Sequence, residues 1–226
     1  MISSNRLQKG LTSLGLDIEK ENIEKLIAFS KLVIKWNKTH NLTSIKNSDD
    51  FVDKHILDSL TLLPRLLFAI ENHKPSKEKP QSRLELLDIG SGAGFPGIVL
   101  AIASNNFLLT SVDANHKKIM FQNHIIREFD LTQIKTVHSR IEEIENQKFN
   151  IITCRAFASI SHIIEKSHHL LGNEGMWLLM KGAYPNDEIA AFNRQEISQR
   201  FKVQSTESAE IPGLEAERHL VTIRAA

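Results

Sequence analysis

The segment that decides the fold is Asp88-Ile89-Gly90-Ser91-Gly92-Ala93-Gly94, which ends an apolar run that begins at Leu84. This pattern predicts a buried strand over residues 84–89 followed by a tight turn, because glycine lets the backbone turn sharply and approach a ligand closely. Pro96 suits the first position of a helix, which we predict over residues 96–103. The free N–H groups at that helix start suit an anionic or carboxylate group.

Beyond this turn, strand and helix patterns alternate to residue 224. The further predicted strands cover residues 107–112, 134–138, 149–154, 176–180, 201–205 and 219–224, and the further helices cover 115–129, 161–171 and 187–194. Strands that alternate with helices form a parallel sheet covered on both faces. The last two strands have no helix between them, and we therefore predict an antiparallel hairpin at the sheet edge.

The part of the chain before the strands has a helical pattern. Apolar residues recur at three- and four-residue spacing over residues 18–39 and 56–67, and Pro64 is expected to kink or end the second helix. A charged stretch with two prolines separates this part from the strands and indicates a linker. The predicted organisation is an N-terminal helical extension (1–72), a linker (73–82) and an alternating α/β domain (83–226).

Charge and composition limit the classes of function. The chain has 28 Lys and Arg against 27 Asp and Glu, a net charge of +1, so any nucleic-acid site must be a local patch. No apolar run approaches the roughly 18 residues that span a bilayer, and the N-terminus lacks a signal-peptide core, so we expect a cytoplasmic protein. The single cysteine, Cys154, lies in an apolar strand pattern and is expected to be a packed residue. The oligomeric state is not fixed by the sequence, and a monomer is favoured.

The glycine turn has two competing interpretations. Glycines 92, 94 and 97 match G-x-G-x-x-G, and Asp113 follows about 20 residues later, as in dinucleotide-dependent oxidoreductases. That motif begins directly at the strand end, whereas here Asp88 and Gly90 come first. Asp88 followed by Gly90-x-Gly92-x-Gly94 resembles the nucleotide-methionine loop of class I methyltransferases, which is the second interpretation. A carboxylate at position 88 can meet the ammonium group of a ligand, directly or through water, whereas it would repel a pyrophosphate. Asp113 can accept hydrogen bonds from ribose hydroxyls in either case.

Seven blocks of sequence carry a resemblance to one family. They are Trp36-Asn37-Lys38 with Asn41-Leu42-Thr43, His55-Ile56-Leu57-Asp58-Ser59, the glycine turn extended to Ile98, Ser139–Glu143, Arg155–Ser159, Leu179–Gly182 and Glu217–Leu220. In this order they resemble the ribosomal RNA small-subunit methyltransferase G family, also called glucose-inhibited division protein B. The blocks span roughly residues 33–224, and residues 183–212 match poorly.

The resemblance implies a fold, a reaction and a partner. The fold is the class I, Rossmann-like methyltransferase fold, a seven-stranded α/β sheet that is mostly parallel with a C-terminal antiparallel edge. The reaction is methylation of guanosine N7 in 16S ribosomal RNA with S-adenosylmethionine as donor, and the partner is that RNA or the small ribosomal subunit. The implied cofactor-binding residues are Gly90, Gly92, Phe95, Asp113, Ile141, Glu142 and Arg155.

The residue types agree with an N7 target. Guanine N7 has an exposed lone pair and no proton, so the reaction needs no general base, and we expect no catalytic base. The segment after the fourth strand, residues 153–159, contains no acidic residue. Arg155 is expected to contact the cofactor or guanine O6, or else to be a surface arginine paired with an acid. Phe95 is either a staple for the next helix or a lid on the cofactor.

Other polar residues have simpler interpretations. His55 and Asp58 lie three apart on one helix turn, which favours a surface pair without a chemical role, and the ten histidines show no metal-ligand spacing, so we expect no metal. Phe157 is a candidate for base stacking. The candidate RNA contacts are Lys117, Lys118, Arg127, Lys181, Arg218 and His219, with Lys31, Lys35 and Lys38 on the extension.

Four functions remain open at this point. Besides the RNA guanine-N7 methyltransferase, they are a methyltransferase that acts on another RNA, a small molecule or a protein, a non-catalytic ribosome-assembly protein that keeps the fold, and a dinucleotide oxidoreductase. The intact set of Asp88, Asp113 and Arg155 counts against a decayed site.

Overall fold

The computed structural model describes residues 4–45, 47–74, 82–156, 158–211 and 213–226. A single seven-stranded sheet organises them. Its strands are β1 (Leu84–Ile89), β2 (Phe107–Asp113), β3 (Ile134–His138), β4 (Phe149–Arg155), β5 (Leu171–Lys181), β6 (Phe201–Ser208) and β7 (His219–Ala225). Their order across the sheet is β3-β2-β1-β4-β5-β7-β6.

The parallel strands β1, β2 and β4 end at the same edge of the sheet. Ile89 is in register with Val112 of β2 and with Cys154 of β4. Strand β7 runs antiparallel to both β5 and β6, which confirms the predicted hairpin. The hairpin is inserted so that β7 lies inside the sheet and β6 forms the edge. As the sequence predicts, Cys154 is buried, and burial raises the pKa of its thiol to about 12.

Within the described residues, nine α-helices and one π-helix surround the sheet. Those before β1 are α1 (Ser4–Ser13), α2 (Lys20–His40), α3 (Ser48–Phe51), the π-helix Val52–Leu57, α4 (Asp58–Leu60) and α5 (Leu63–Glu71). Those between the strands are α6 (Gly97–Ala103), α7 (His116–Glu128), α8 (Ile160–Ser167) and α9 (Asn186–Asn193). Helix α1 has no counterpart in the sequence prediction. Pro64 lies in the first turn of α5 and therefore begins a helix rather than interrupting one.

Two apolar clusters cover the two faces of the sheet. One contains the helices of the extension, α6 and α7 together with β1 residues such as Leu86. The other contains α8 and α9 and includes Ile152 of β4 and Trp177 of β5. The first cluster is continuous across the predicted boundary at residues 73–82, so the extension packs as part of the main core. Most of that linker, residues 75–81, lies outside the described residues, and the predicted domain boundaries stay a prediction.

The helices offer no candidate for a membrane span. Within the described ranges, none combines the length and the apolar character that crossing a bilayer requires.

Candidate active site

Two neighbouring cavities open at the sheet edge where β1, β2 and β4 end. The larger, of about 800 Å³, lies between the glycine turn, the end of β4 and the segment 42–58 of the extension. The smaller, of about 490 Å³, is bordered by the ends of β1 and β2 and by residues 139–142 after β3. Gly90 and Ala156 line both cavities, which therefore adjoin. Ligands of open parallel sheets bind at this edge, so we take the two cavities together as the candidate active site.

The glycine turn forms the floor between the two cavities. Gly90, Gly92 and Gly94 have φ values of 64°, 60° and 100°. Residues that carry a Cβ rarely adopt this backbone conformation. Gln122 of α7 supports the turn, because its amide donates to Ser91 Oγ and to the Gly92 carbonyl, both at 2.8 Å. Sequence reasoning missed Gln122, since a glutamine in a helix has no local signal for a contact 30 residues away.

Asp88 ends β1 directly beneath the turn. Its Oδ2 accepts a hydrogen bond from Gly97 N at 2.8 Å, and a Cβ at position 97 would lie 2.7 Å from the same oxygen. A glycine is therefore required where α6 meets the strand. Oδ1 of Asp88 is buried and has no donor among the described residues. Burial raises the pKa of Asp88 to about 7, and an orphaned carboxylate oxygen fits the cationic amino group of an amino-acid ligand.

Asp113 ties the turn to the end of β2. Its Oδ2 accepts from Gly92 N and its Oδ1 from Asn115 N, both at 2.8 Å, and Lys118 Nζ lies 3.7 Å from Oδ2. Asn115 in turn caps α7 by accepting from Lys117 N. A carboxylate oxygen accepts more than one hydrogen bond, so Asp113 retains capacity for ribose hydroxyls. The expected contact to the ribose stays a prediction.

Ile141 and Glu142 lie in a short 3₁₀-helix after β3 and line the smaller cavity. Ile141 is buried, whereas Glu142 is exposed and pairs with Lys166 of α8 at 2.9 Å. The hydrogen bond from Lys166 lowers the pKa of Glu142. All the predicted cofactor residues therefore line one or both of the two cavities. The smaller is lined by Gly90, Asp113, Ile141 and Glu142, and the larger by Gly90, Gly92, Phe95 and Arg155. Their roles in binding stay predictions.

Arg155, the last residue of β4, reaches across to the extension. Its Nη1 donates to the carbonyl of Lys54 at 2.8 Å and to Asp58 Oδ2 at 2.9 Å, and its Nη2 donates to His55 Nδ1 at 2.8 Å. Asp58 Oδ1 also accepts from Arg218 Nε at 2.8 Å. The predicted surface pair of His55 and Asp58 is therefore wrong, because both side chains are buried and each contacts Arg155 rather than the other.

The hydrogen bonds around His55 fix its protonation. The Arg155 guanidinium can only donate, so Nδ1 of His55 must be an acceptor. Nε2 then carries the proton and faces Thr43 Oγ1 at 2.6 Å. Burial, reinforced by the charge of Arg155, lowers the pKa of His55 to about 3. The ring is therefore neutral, with both nitrogens engaged.

Phe95 lines the larger cavity and belongs to an aromatic cluster. Its ring stacks on His55 with centroids 4.5 Å apart and an 11° angle between planes, and the guanidinium of Arg155 lies 5.1 Å from its centroid. Phe29 and Phe51 also contact it. The ring joins the extension to the glycine turn. Its contact with the cofactor stays a prediction.

The ionisable side chains of the larger cavity are paired with one another or with neighbours. Lys54 pairs with Asp50, and Lys181 pairs with Glu188 at 2.7 Å and donates to the Ala158 carbonyl at 2.8 Å. Asp58 pairs with Arg155 and Arg218. Each of these groups has a structural partner, so the part of the lining that the structure describes offers groups for positioning and no free proton acceptor.

The candidate RNA contacts divide into two groups. Lys117 and Arg127 are exposed on α7, whereas Lys181 and Arg218 are held by the carboxylates just described. Phe157 lies outside the described residues. Across the ranges that the structure describes, no three or more His, Cys, Asp or Glu side chains form a group that could hold a metal ion.

Solved structures show the fold class. The chain is similar to the ribosomal protein L11 methylase from Lactobacillus delbrueckii subsp. bulgaricus, with a TM-score of 0.54 and 11% identity over 80% of each chain. It is also similar to TrmN from Thermus thermophilus (TM-score 0.54, 11% identity, 73% of this chain and 48% of that one). A third is TYW2 from P. horikoshii in complex with MeSAdo (TM-score 0.52, 8% identity, 63% and 57%). These likenesses show that the chain has the fold of the class I methyltransferases.

Sequence relatives define the family. The sequence model of the family GidB, described as rRNA small subunit methyltransferase G, matches residues 22–221 of the chain. The chain is 38% identical to "Ribosomal RNA small subunit methyltransferase G" of Methylobacillus flagellatus over 97% of both chains, and 35% identical to that of Neisseria meningitidis over 99% of both. The protein of this name from Chromobacterium violaceum is 37% identical over 95% of this chain and 94% of its own. The chain therefore belongs to the rRNA small subunit methyltransferase G family, and as a class I enzyme it uses S-adenosylmethionine as methyl donor.

Proposed function

We propose that the protein transfers a methyl group from S-adenosylmethionine to N7 of one guanosine in 16S ribosomal RNA, in the cytoplasm, with the RNA or the small ribosomal subunit as substrate. The names of its relatives support the RNA substrate. The observation that carries the N7 target is the lining of the larger cavity, where, among the described residues, each ionisable side chain has a partner and none is left free to remove a proton. An N7 acceptor needs no such group.

We further propose a division of the cofactor between the cavities. Asp113 accepts from the ribose hydroxyls, and Ile141 and Glu142 border the base. Asp88 Oδ1 accepts from the amino group at the other end, beside Gly90, Gly92 and the backbone of Phe95. Arg155 contacts the cofactor or guanine O6. When bound, S-adenosylmethionine supplies an electrophilic methyl group.

The chain's own contribution to the rate is then positioning. The extension and the end of β4 enclose the larger cavity, so the guanine enters between two rigid walls. Holding donor and acceptor in line at near-contact distance lowers the activation free energy. For well-oriented reactants the reduction is about 7–11 kcal/mol. The neutral, hydrogen-bonded His55 and the paired Asp58 act as fixed dipoles and charges that orient their neighbours.

The direct test is to incubate the purified protein with methyl-labelled donor and small ribosomal subunits that lack the modification, and then to map the label. The expected result is one methyl group on N7 of a single guanosine in the RNA. Subunits that already carry the modification serve as the control and should take up no label. Label on an adenine, a ribose or a ribosomal protein would overturn the proposal.

A further inference from the structure

Tyr184 is an exposed aromatic residue beside the larger cavity. Among the described residues it is one of three large apolar side chains with high exposure, with Phe68 at 59%, Met120 at 51% and Tyr184 at 47%. A single exposed apolar residue is common and needs no explanation by itself. Tyr184 differs from the other two in position, because it lies in the chain between Gly182 and Glu188, which both line the larger cavity. Its ring is therefore at the rim of that cavity.

His219, the first residue of β7, supports the Tyr184 ring. The two ring centroids are 5.2 Å apart and the planes meet at 77°, an edge-to-face contact. The imidazole is itself fixed, because its Nδ1 lies 2.8 Å from the Gly182 carbonyl, which can only accept, so Nδ1 donates. Strand pairing places His219 opposite Lys181, and Arg218 precedes it, and both of these line the larger cavity. The tyrosine is thus held by one neighbour and remains open to solvent.

The charges near this aromatic pair favour a neutral group of the RNA over a phosphate. Asp187, Glu215 and Glu217 are close to the pair in the chain, and all three are exposed. The adjacent cations, Lys181 and Arg218, are already paired with carboxylates. Exposed carboxylates repel a phosphate group, whereas the face of a base carries no net charge and stacks on an aromatic ring. The rim therefore suits a base better than the RNA backbone.

We propose that Tyr184 is a stacking platform for an unpaired base that adjoins the target guanosine in the RNA. This inference rests on the proposed function and extends it, because it says what holds the RNA strand outside the cavity. Proteins that recognise single-stranded RNA commonly stack its bases on aromatic side chains. When the target guanine occupies the larger cavity, a base next to it in the strand reaches the rim, where Tyr184 lies.

The first test is the variant Tyr184→Ala, measured for binding of the RNA substrate and of S-adenosylhomocysteine. The Kd for the RNA should rise about 5- to 100-fold, because stacking of one base is lost. The Kd for S-adenosylhomocysteine should change by less than about twofold, since Tyr184 lines neither cavity. Tyr184→Phe and Tyr184→Trp keep an aromatic ring and should bind RNA within about threefold of the wild type. An alanine variant with wild-type RNA affinity would overturn the proposal.

Phe68 offers a matched control. It is the more exposed of the two aromatic residues, lies on α5 and lines neither cavity. Phe68→Ala should therefore leave the Kd for the RNA unchanged. Equal losses in Phe68→Ala and Tyr184→Ala would show a general effect of removing an exposed ring and would contradict a specific platform at the rim.

An abasic RNA separates stacking from a purely structural role of Tyr184. Small subunits are reconstituted with RNA that carries an abasic nucleotide directly before or directly after the target guanosine. At one of these two positions the wild-type protein should lose about as much affinity as Tyr184→Ala loses on normal RNA, and the variant should lose little more. Losses that multiply at both positions would show that no adjacent base stacks on Tyr184, and the proposal would fail.

The proposed function and this inference fail in different ways. If the wild-type protein places no methyl group on the RNA, the proposed function is wrong. Wild-type methylation together with an unimpaired Tyr184→Ala variant contradicts only the stacking platform.

Discussion

The two cavities of the active site differ in how the chain builds them. The smaller is formed by strand ends and the segments that follow them, from Ile89 to Glu142 and Ala156, with Lys118 of α7. The larger adds a wall from the N-terminal extension and a contribution from Arg218, near the other end of the chain. A general rule of open parallel sheets places the first kind of cavity. The second depends on contacts between residues about 100 and 160 positions apart.

We propose that this difference corresponds to two tasks: both cavities hold part of the cofactor, and only the larger also admits the substrate. The smaller presents backbone groups and single carboxylates, which suit a cofactor shared by many enzymes of this fold. The larger presents a network of paired charges around His55, Asp58 and Arg155, which suits a particular substrate. Under the proposed function, Asp88→Asn and Glu142→Gln should weaken cofactor binding. His55→Gln tests the charge network of the larger cavity through the stability of the protein.

The largest effect is expected from Asp88→Asn. Asparagine keeps the acceptor for Gly97 N but cannot offer a charged partner to the cofactor's amino group, so the Kd for S-adenosylhomocysteine should rise about 10- to 100-fold. Because burial raises the pKa of Asp88 to about 7, wild-type affinity should increase from pH 6 to pH 8 as the carboxyl ionises. Calorimetry over this pH range should show that the Kd of the variant for S-adenosylhomocysteine does not change with pH. Asp130→Asn, an exposed residue away from both cavities, is the control.

His55→Gln tests the charge network of the larger cavity. The folded protein keeps His55 neutral down to a pKa of about 3, whereas the unfolded chain protonates near the ordinary value of 6.5. The unfolded state therefore binds more protons below pH 6.5, and stability is lost as the pH falls from 6.5 toward 3, by up to about 1.4 kcal/mol per pH unit. Denaturant unfolding at a series of pH values should show that the free energy of unfolding decreases more steeply with falling pH for the wild type than for the variant. Parallel curves would contradict the buried neutral histidine.

Glu142→Gln should have the smallest effect. Gln replaces the charged acceptor of Glu142 by a neutral one, and the side chain is exposed to water, so S-adenosylhomocysteine binding should weaken by only about 2- to 10-fold. The KM for RNA should stay at the wild-type value. Glu145→Gln, three residues further and outside both cavities, should bind like the wild type. An RNA defect in Glu142→Gln without a cofactor defect would reverse the assignment of the two cavities.

The strand ends were predictable from the sequence because their signals are local. The apolar run before Asp88, the glycines after it and the alternating helices gave the sheet, the turn and the antiparallel hairpin in nearly their observed positions. Periodicity reports which face of a strand or helix is buried, and burial of this sheet is what positions the glycine turn.

The charge network was not predictable in the same way. The spacing of His55 and Asp58 indicated only that they share a helix face, and the partner that buries them, Arg155, is about 100 residues away. The π-helical turn has no hydrophobic period of its own that distinguishes it from an α-helix. Helix α1 has just two buried leucines, Leu7 and Leu11, in ten residues, too few to establish a pattern. Both features depend on tertiary contacts that override local preference.

The position of β7 inside the sheet has a consequence for synthesis of the protein. Strand β5 gains its second neighbour only when residues 219–225 are available, and Arg218 arrives with them. While the chain is still being made, Asp58 is already present, 160 residues ahead of its second arginine. The residues of the smaller cavity have all been made once residue 156 has been added, whereas the wall of the larger cavity needs residue 218. A nascent chain that stalls between these two positions would thus contain every residue of the smaller cavity and lack one wall residue of the larger.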